Sequence, residues 1–244
     1  MPFPDTAART PEGTRIYAVG DVHGRADLLE AMLAEIDRDL QRHPCEDVVE
    51  IYVGDYVDRG PDSKKVLDIL QGDARHEGER ICLKGNHEDM LLDFLEDPEL
   101  LILWMQNGGQ ETLSSYGITP PEEVGQASMS EIRAELRSAL GRHFNFLTGL
   151  PLTHVEGDYL FVHAGIRPGV TLKEQDPEDL MWIREPFLSH PGPLPHCVVH
   201  GHTPVDAPDV RPFRIDIDTG AVVTGALTCL VLEDETRRFL STGR

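Results

Sequence analysis

The chain of 244 residues carries 22 basic and 43 acidic side chains, giving a formal net charge of −21 at pH 7. A field of that sign repels a phosphate backbone, so general binding of DNA or RNA is disfavoured. The content of hydrophobic residues, 40%, is ordinary for a globular protein with a sizeable core. The longest apolar runs are far too short to span a bilayer, so no membrane association is expected.

The cysteines and the N-terminus indicate a reducing, cytoplasmic setting. None of the four cysteines forms a CxxC pair and three lie in apolar runs, so buried free thiols are expected. The stretch Met1–Asp5 shows no charged region leading into an apolar one, so no secretory signal is predicted.

In the first part of the chain, a predicted strand stops three times at a glycine, presents Asp, Asn or His, and leads into a helical pattern. Groups at the carboxyl ends of adjacent strands are the usual arrangement of a site in a sheet flanked by helices. The three strands and their loops are Arg15–Val19 with Gly20–Gly24, Val48–Val53 with Gly54–Gly60, and Ile81–Lys84 with Gly85–Glu88.

The rest of the chain is predicted as a helical insertion followed by more strands. The insertion, Met90–Leu150, is expected to pack on the sheet and border the site. A hairpin of Leu152–Val155 and Tyr159–Val162 then leads to His163. The closing strands are Cys197–Val199, which leads to His200–Thr203, then Phe213–Asp218 and Ala226–Leu232. No linker or repeat divides the chain, so one domain over residues 1–244 is expected.

Polar side chains at these strand ends form a candidate metal centre. Carboxylate, amide and imidazole groups together suit a borderline divalent ion such as Mn, Fe or Zn better than calcium. Six candidates suffice for two ions if Asp55 bridges, and two ions ~3.5–4 Å apart form a clamp for displacement at phosphorus. Taken alone, the loop Gly54–Gly60 fits a polar turn with an Asp–Arg ion pair equally well. The candidates are Asp21, His23, Asp55, Asn86, His163 and His202.

The motifs GDVHG, GDYVDRG, GNHE, HAG and GHT occur in this order between about Arg15 and Leu232. Together they resemble the phosphoprotein phosphatase family of metallophosphoesterases, and most nearly its small bacterial and phage Ser/Thr phosphatases. Periodicity alone indicates mixed α and β structure (α/β or α+β), whereas the resemblance implies a β-sandwich flanked by helices.

The resemblance also implies roles for individual residues. One ion would be held by Asp21, His23 and Asp55, and the other by Asp55, Asn86, His163 and His202. The phosphate would be bound by Arg59 and Arg184, and the general acid would be His87, oriented by Asp58.

The activity implied is hydrolysis of phosphoserine or phosphothreonine in proteins by a hydroxide held between two divalent ions. Manganese is the first candidate for both ions, with iron or zinc as alternatives. Symmetrical diadenosine tetraphosphatases, similar in their metal motifs, tend to differ at the position of Asp58, which favours the phosphatase. A non-catalytic binding protein on the same fold is disfavoured because every ligand position is intact. Neither the oligomeric state nor activity toward phosphotyrosine can be predicted from these motifs.

Several residues beside the motifs receive structural interpretations. His200 is assigned a supporting or strand role, while Glu88 and Asp218 fit capping or strand-end bonding. Tyr56 is compatible with lining the pocket or packing beneath it. Histidines outside the motifs are expected on the surface or in loops.

Overall fold

Two five-stranded β-sheets packed face to face form the centre of the computed structural model, which describes residues 8–72, 78–121 and 125–243. The strands are β1 Thr14–Val19, β2 Asp47–Tyr52, β3 Gly78–Cys82, β4 Thr153–Glu156, β5 Tyr159–Val162, β6 Cys197–His200, β7 Asp209–Val210, β8 Arg214–Asp216, β9 Thr228–Glu233 and β10 Thr236–Ser241. The first sheet has the order β10-β9-β1-β2-β3 and the second β4-β5-β6-β8-β7. Each sheet contains three adjacent parallel strands: β1, β2 and β3 at one side of the first sheet, and β5, β6 and β8 at the centre of the second.

Helices cover the outer faces of both sheets. They are α1 Ala26–Arg42, α2 Ser63–Gln71, α3 Asn86–Glu96, α4 Leu101–Trp104, α5 Gln110–Ser115, α6 Gln126–Leu140, α7 Arg142–Thr148, α8 Pro177–Trp182 and α9 Ala221–Thr224. A π-helical turn at Met105–Gly109 joins α4 to α5.

Strand β1 shows how the layers divide the core. Its side chains alternate between two apolar clusters, because successive residues of a strand point to opposite faces. Ile16 and Ala18 face the second sheet, whereas Tyr17 and Val19 pack under the helices. A third apolar cluster, which includes Leu180 of α8, covers the second sheet. The predicted β-sandwich flanked by helices is therefore confirmed.

The C-terminal end of the chain differs from the sequence prediction. Strand β10 was missed because its sequence, TRRFLS, carries two arginines and its side chains are exposed or half-buried. It pairs only with β9 at the edge of the sheet, where charged residues are common. The predicted strand Phe213–Asp218 is shorter, at Arg214–Asp216.

The histidines and cysteines outside the motifs were predicted with mixed success. His143 is buried and bonded to the Tyr116 hydroxyl at 2.7 Å, so its expected surface location was wrong. It lies on the buried side of α7, together with Leu147. Cys82, Cys197 and Cys229 are buried free thiols, as predicted.

Two further predictions concern the N-terminus and the membrane. The stretch Met1–Asp5 lies outside the described residues. Among the helices of the described ranges, none combines the length and apolarity that crossing a bilayer requires.

A buried ionic network joins α1 to the first sheet near the N-terminal end of β1. The carboxylate of Asp39 accepts hydrogen bonds from the Tyr17 hydroxyl at 2.5 Å and from Arg238, and it lies 3.8 Å from Arg15. Arg15 also pairs with Glu233 at 2.9 Å. Burial by itself would raise the pKa of Asp39, but the hydrogen bonds from Arg238 and Tyr17 outweigh it and hold that pKa below its ordinary value.

We expect Asp39→Asn to lower the free energy of unfolding by about 2–3 kcal/mol at pH 7, because it removes the charge that its partners share. A carboxylate with a lowered folded-state pKa stabilises the fold above its unfolded pKa and loses that contribution as pH falls through the folded value. The difference between variant and wild type, measured by denaturant unfolding, should therefore shrink below about pH 4. Glu35→Gln, at an exposed Arg38 pair, is the control and should have a smaller effect. An undiminished difference in acid would contradict the assignment.

Candidate metal centre and active site

The predicted ligands of the first sheet leave it at one edge because its parallel strands end together. Val19 lies in register with Tyr52, and Tyr52 with Cys82. The loops after β1, β2 and β3 therefore start side by side. They carry Asp21 and His23, Asp55, and Asn86.

The second sheet adds its own strand ends to the same place. Phe161 of β5 is in register with Val199 of β6. His163 directly follows β5, and His202 follows β6 after one glycine. The site is thus built from the aligned strand ends of both sheets.

The backbone of these loops is strained at the candidate residues. Among the described residues, six that are not glycine have positive φ, a region that side chains with a Cβ rarely adopt. Five of these six belong to the motifs: His23, Asp55, Asp58, Arg59 and His202. Such strain persists only where the surroundings enforce it, and it concentrates at functional sites.

Asp55 lies at the centre of the cluster and is almost fully buried. One carboxylate oxygen is 3.4 Å from His23 Nε2 and the other 3.4 Å from His163 Nε2. Two groups of potential ligand atoms, each within 4.8 Å, are formed by Asp55 with His23 and His87, and by Asp55 with His163 and His202. Asp55 belongs to both groups, which is the position that a bridging ligand needs.

Hydrogen bonds fix the imidazoles that face Asp55. His23 Nδ1 donates to the carbonyl of Val57 at 2.9 Å, and His163 Nδ1 to that of Val53 at 3.0 Å. Their Nε2 lone pairs therefore point to the cluster. Burial lowers the pKa of His23 to about 3 and that of His163 below its ordinary value. A neutral ring in a fixed tautomer is the form that binds a metal ion.

The remaining predicted ligands include buried polar atoms without partners. Asn86 Oδ1 is 2.9 Å from a nitrogen of both His163 and His202. Asp21 Oδ2 accepts the His202 backbone N–H at 3.1 Å. Asp21 Oδ1 and His202 Nε2 are buried and have no hydrogen-bond partner.

The electrostatic surroundings of Asp21 also indicate that a cation belongs at this site. Burial, together with repulsion from Asp218 and Asp55, raises the pKa of Asp21. Buried carboxylates that repel one another are costly unless a positive charge lies among them. Unpartnered ligand atoms and concentrated negative charge both fit divalent cations.

His87 and Asp58 form a buried hydrogen-bonded pair next to these groups. His87 Nδ1 lies 2.8 Å from Asp58 Oδ2, and His87 Nε2 lies 4.0 Å from Asp55 Oδ2. Burial alone would lower the pKa of His87, but the attraction of Asp55 and the hydrogen bond to Asp58 raise it above its ordinary value. The direction of this shift favours protonation of the ring, which the role of an acid requires.

The two predicted phosphate-binding arginines are placed differently. Arg59 Nη1 is 2.9 Å from His23 Nε2, so this guanidinium reaches the cluster. Arg184 is exposed and lines a cavity of about 710 Å³ together with Trp182. The ring of Trp182 lies 5.9 Å from that of His202, so the cavity adjoins the cluster.

Glu88 has a larger part in the site than the sequence suggested. Its buried carboxylate caps α3 by accepting the Gly85 N–H at 2.9 Å, as expected. It also accepts the N–H groups of Asp55, Tyr56 and Val57 at 2.7–3.2 Å. An acidic residue three positions after a glycine at a helix start signals the cap, but not these loop contacts.

Two motif neighbours, Tyr56 and His200, prove to be buried beneath the site. The Tyr56 hydroxyl donates to the Leu83 carbonyl at 2.6 Å, so this side chain packs under the loop and does not line a pocket. His200 ends β6 and bonds the Gly201 carbonyl through Nδ1 at 3.0 Å, in keeping with a supporting role.

Sequence reasoning missed the helical partners of Asp58. Trp104 Nε1 donates to its carboxylate at 2.9 Å and Thr112 Oγ1 at 2.7 Å. These partners lie 46 and 54 residues further along the chain, and no local pattern marks them. Burial raises the pKa of Asp58, while its hydrogen bonds from His87, Thr112 and Trp104 oppose that rise.

Comparison with known proteins identifies the class of this site. The sequence pattern of the calcineurin-like phosphoesterase family matches residues 14–225, so the chain belongs to that family. Such phosphoesterases use a dinuclear divalent metal centre, and the Asp and His groups above could hold one.

Individual relatives carry different names. The chain is 28% identical to the asymmetrical bis(5'-nucleosyl)-tetraphosphatase PrpE of Geobacillus thermodenitrificans, over 88% of this chain and 89% of that one. It is 30% identical to serine/threonine-protein phosphatase 1 of Salmonella typhimurium, over 87% and 89%. A crystal structure provisionally named a diadenosine tetraphosphatase superposes with a TM-score of 0.60, 20% identity, and coverage of 99% and 96%. That structural likeness concerns the fold alone.

We expect Asp55→Asn to weaken binding of both ions by at least about 10-fold, because one carboxylate belongs to both groups of ligand atoms. Manganese titration of the metal-free protein, followed by calorimetry and elemental analysis, would measure this. Asp68→Asn, at a surface pair with Arg142, is a matched control that should bind two ions normally. Two ions bound by Asp55→Asn with unchanged affinity would show that Asp55 does not bridge.

Proposed function

We propose that this protein is a metal-dependent phosphomonoesterase that hydrolyses phosphoserine and phosphothreonine in proteins. The observation that carries the proposal is the buried pair of Asp58 and His87, 2.8 Å apart, whose free imidazole nitrogen faces the Asp55 cluster. A protonated imidazole in this place can donate to a leaving oxygen.

The need for such an acid depends on the leaving group. A serine alkoxide is about as basic as hydroxide, whose parent water has a pKa of about 15.7. A nucleotide phosphate leaves without help far more easily, because its second pKa is about 6. An oriented proton donor is thus most useful for a phosphorylated alcohol, which supports the monoester over a polyphosphate.

Charge neutralisation of the phosphoryl group follows from the same residues. Two bound divalent ions would supply Lewis-acid activation of water and of a phosphoryl oxygen. Arg59, already within 2.9 Å of His23, would pair with further phosphoryl oxygens, and Arg184 would approach from the adjoining cavity.

The cavity beside Arg184 also supports a peptide substrate. It is lined by exposed carboxylates of Glu174, Asp176 and Glu178 as well as by Trp182. Carboxylates lining this cavity repel a polyanion such as a dinucleoside tetraphosphate, and they are compatible with a peptide whose residues beside the phosphoserine are neutral or basic.

The alternative function is hydrolysis of dinucleoside tetraphosphates, which is supported by the similarity to PrpE. We expect the manganese-loaded protein to release phosphate from a phosphoserine peptide and from nitrophenyl phosphate, with kcat/KM at least about 10-fold above that for diadenosine tetraphosphate. A phosphotyrosine peptide in the same panel measures the breadth of the pocket. Preferential cleavage of the dinucleotide would establish the rival, and turnover of none of these substrates would refute an enzymatic function.

The role of His87 makes a sharper prediction. His87→Asn should lose about 100-fold of kcat on the phosphoserine peptide, and much less on nitrophenyl phosphate, whose leaving group needs little protonation. Asparagine keeps a hydrogen-bonding group of similar reach to Asp58 but cannot act as the acid. Equal losses on the two substrates, accompanied by weaker manganese binding, would instead make His87 a metal ligand.

A further inference from the structure

The carboxylate of Asp58 is held by more donors than its pairing with His87 requires. Its Oδ2 accepts from His87 Nδ1 at 2.8 Å and from Trp104 Nε1 at 2.9 Å. Its Oδ1 accepts from Thr112 Oγ1 at 2.7 Å. The hydroxyls of Thr112 and Ser63 accept the backbone N–H of Asp58, at 2.9 and 3.1 Å. Donors on both oxygens therefore fix the rotation of the carboxylate as well as its position.

Water cannot substitute for these donors. Asp58, Ser63 and Thr112 are completely buried and Trp104 is 1% exposed. The indole of Trp104 is itself fixed by stacking on Phe94, with ring centroids 5.1 Å apart. Loss of one donor would leave a buried acceptor incompletely bonded and free to rotate.

The same helical stretch also holds the neighbouring arginine. The Arg59 backbone N–H donates to the carbonyl of Gly108 at 3.0 Å. A Cβ at Gly108 would lie 2.6 Å from that nitrogen, so only glycine permits the contact. Residues 101–115, here called the clamp segment, thus bind the loop through the side chain of Asp58 and the backbone of Arg59.

We propose that Trp104 and Thr112 are positioning residues for the general acid. By fixing the Asp58 carboxylate, they direct the His87 Nδ1–H toward Asp58 and its Nε2–H toward the leaving oxygen. Catalytic groups must be held within about 0.5 Å of their productive geometry, and the residues behind them supply that precision. This inference rests on the proposed function, since it assigns the two residues to the acid step of that reaction.

Removal of the indole N–H gives the decisive test. Trp104→Phe keeps an aromatic ring to stack on Phe94 but cannot donate. Its kcat/KM on a phosphoserine peptide should fall about 10-fold or more beyond any fall on nitrophenyl phosphate. Thr112→Val should show the same bias, and Thr112→Ser, which keeps the hydroxyl, should restore most of the peptide activity.

Controls separate positioning from general loss of structure. Thr10→Val removes another buried threonine hydroxyl, bonded to Thr14 and Asp234, and should leave the ratio of the two activities unchanged. Manganese affinity of Trp104→Phe should equal that of the wild type. In a His87→Asn background, Trp104→Phe should add no further loss on the peptide, because the step that it serves is already absent.

The outcomes distinguish the inference from the proposed function. The inference would be overturned if Trp104→Phe lowered kcat/KM equally on both substrates, or if it lowered it further in the His87→Asn background. In either case, activity of the wild type on the phosphoserine peptide would still support the proposed function. Inactivity of the wild type on both substrates would overturn the proposed function and the inference with it. If Trp104→Phe does not fold, the comparison of Thr112→Val with Thr112→Ser decides by the same criteria.

Discussion

The site depends on the burial of one carboxylate, that of Asp55, between two groups of imidazoles. It lies 3.4 Å from both His23 and His163, one from each sheet. A negative charge in this position is stable only with cations around it. Its Oδ1 also accepts the backbone N–H of His87 at 3.1 Å, a hydrogen bond that favours the charged form of the carboxylate. Because Asp55 lies between the strand ends of both sheets, the site can form only when the two sheets are packed together.

The loop around Asp55 is strained, and a second buried carboxylate maintains the strain. Asp55 and Asp58 adopt left-handed backbone conformations, which cost of order 1–3 kcal/mol each. Glu88 offsets that cost by accepting three consecutive backbone N–H groups of the loop. A residue that sequence inspection treats as a helix cap therefore also shapes the candidate metal site.

The parts of this structure that were predictable from the sequence are those encoded locally. Glycine-flanked polar residues after apolar strands, as at Asp21 and His163, reveal strand-end loops because both signals are adjacent in the chain. Contacts between distant elements carry no such signal. Trp104 lies in an apolar stripe that is typical of a helix core, and its single N–H finds Asp58 only in the folded chain. The location of His143 was predicted wrongly for the same reason, since its partner Tyr116 directly follows a different helix, α5.

The sheets and the helices position different parts of the candidate site: the sheets the metal ligands, and the helices the groups around the proposed acid. The loops at the strand ends position the six candidate metal ligands, and no part of that arrangement involves the alcohol or nucleotide of the substrate. The acid pair, in contrast, also depends on the helices: His87 is the second residue of α3, and the donors to Asp58 come from the clamp segment. Under the proposed function, a change in that segment would alter the need for a good leaving group without moving a metal ligand. Under the proposed function, selectivity among leaving groups is determined outside the metal centre, which is compatible with this chain's similarity both to a relative named for tetraphosphates and to one named for phosphoproteins.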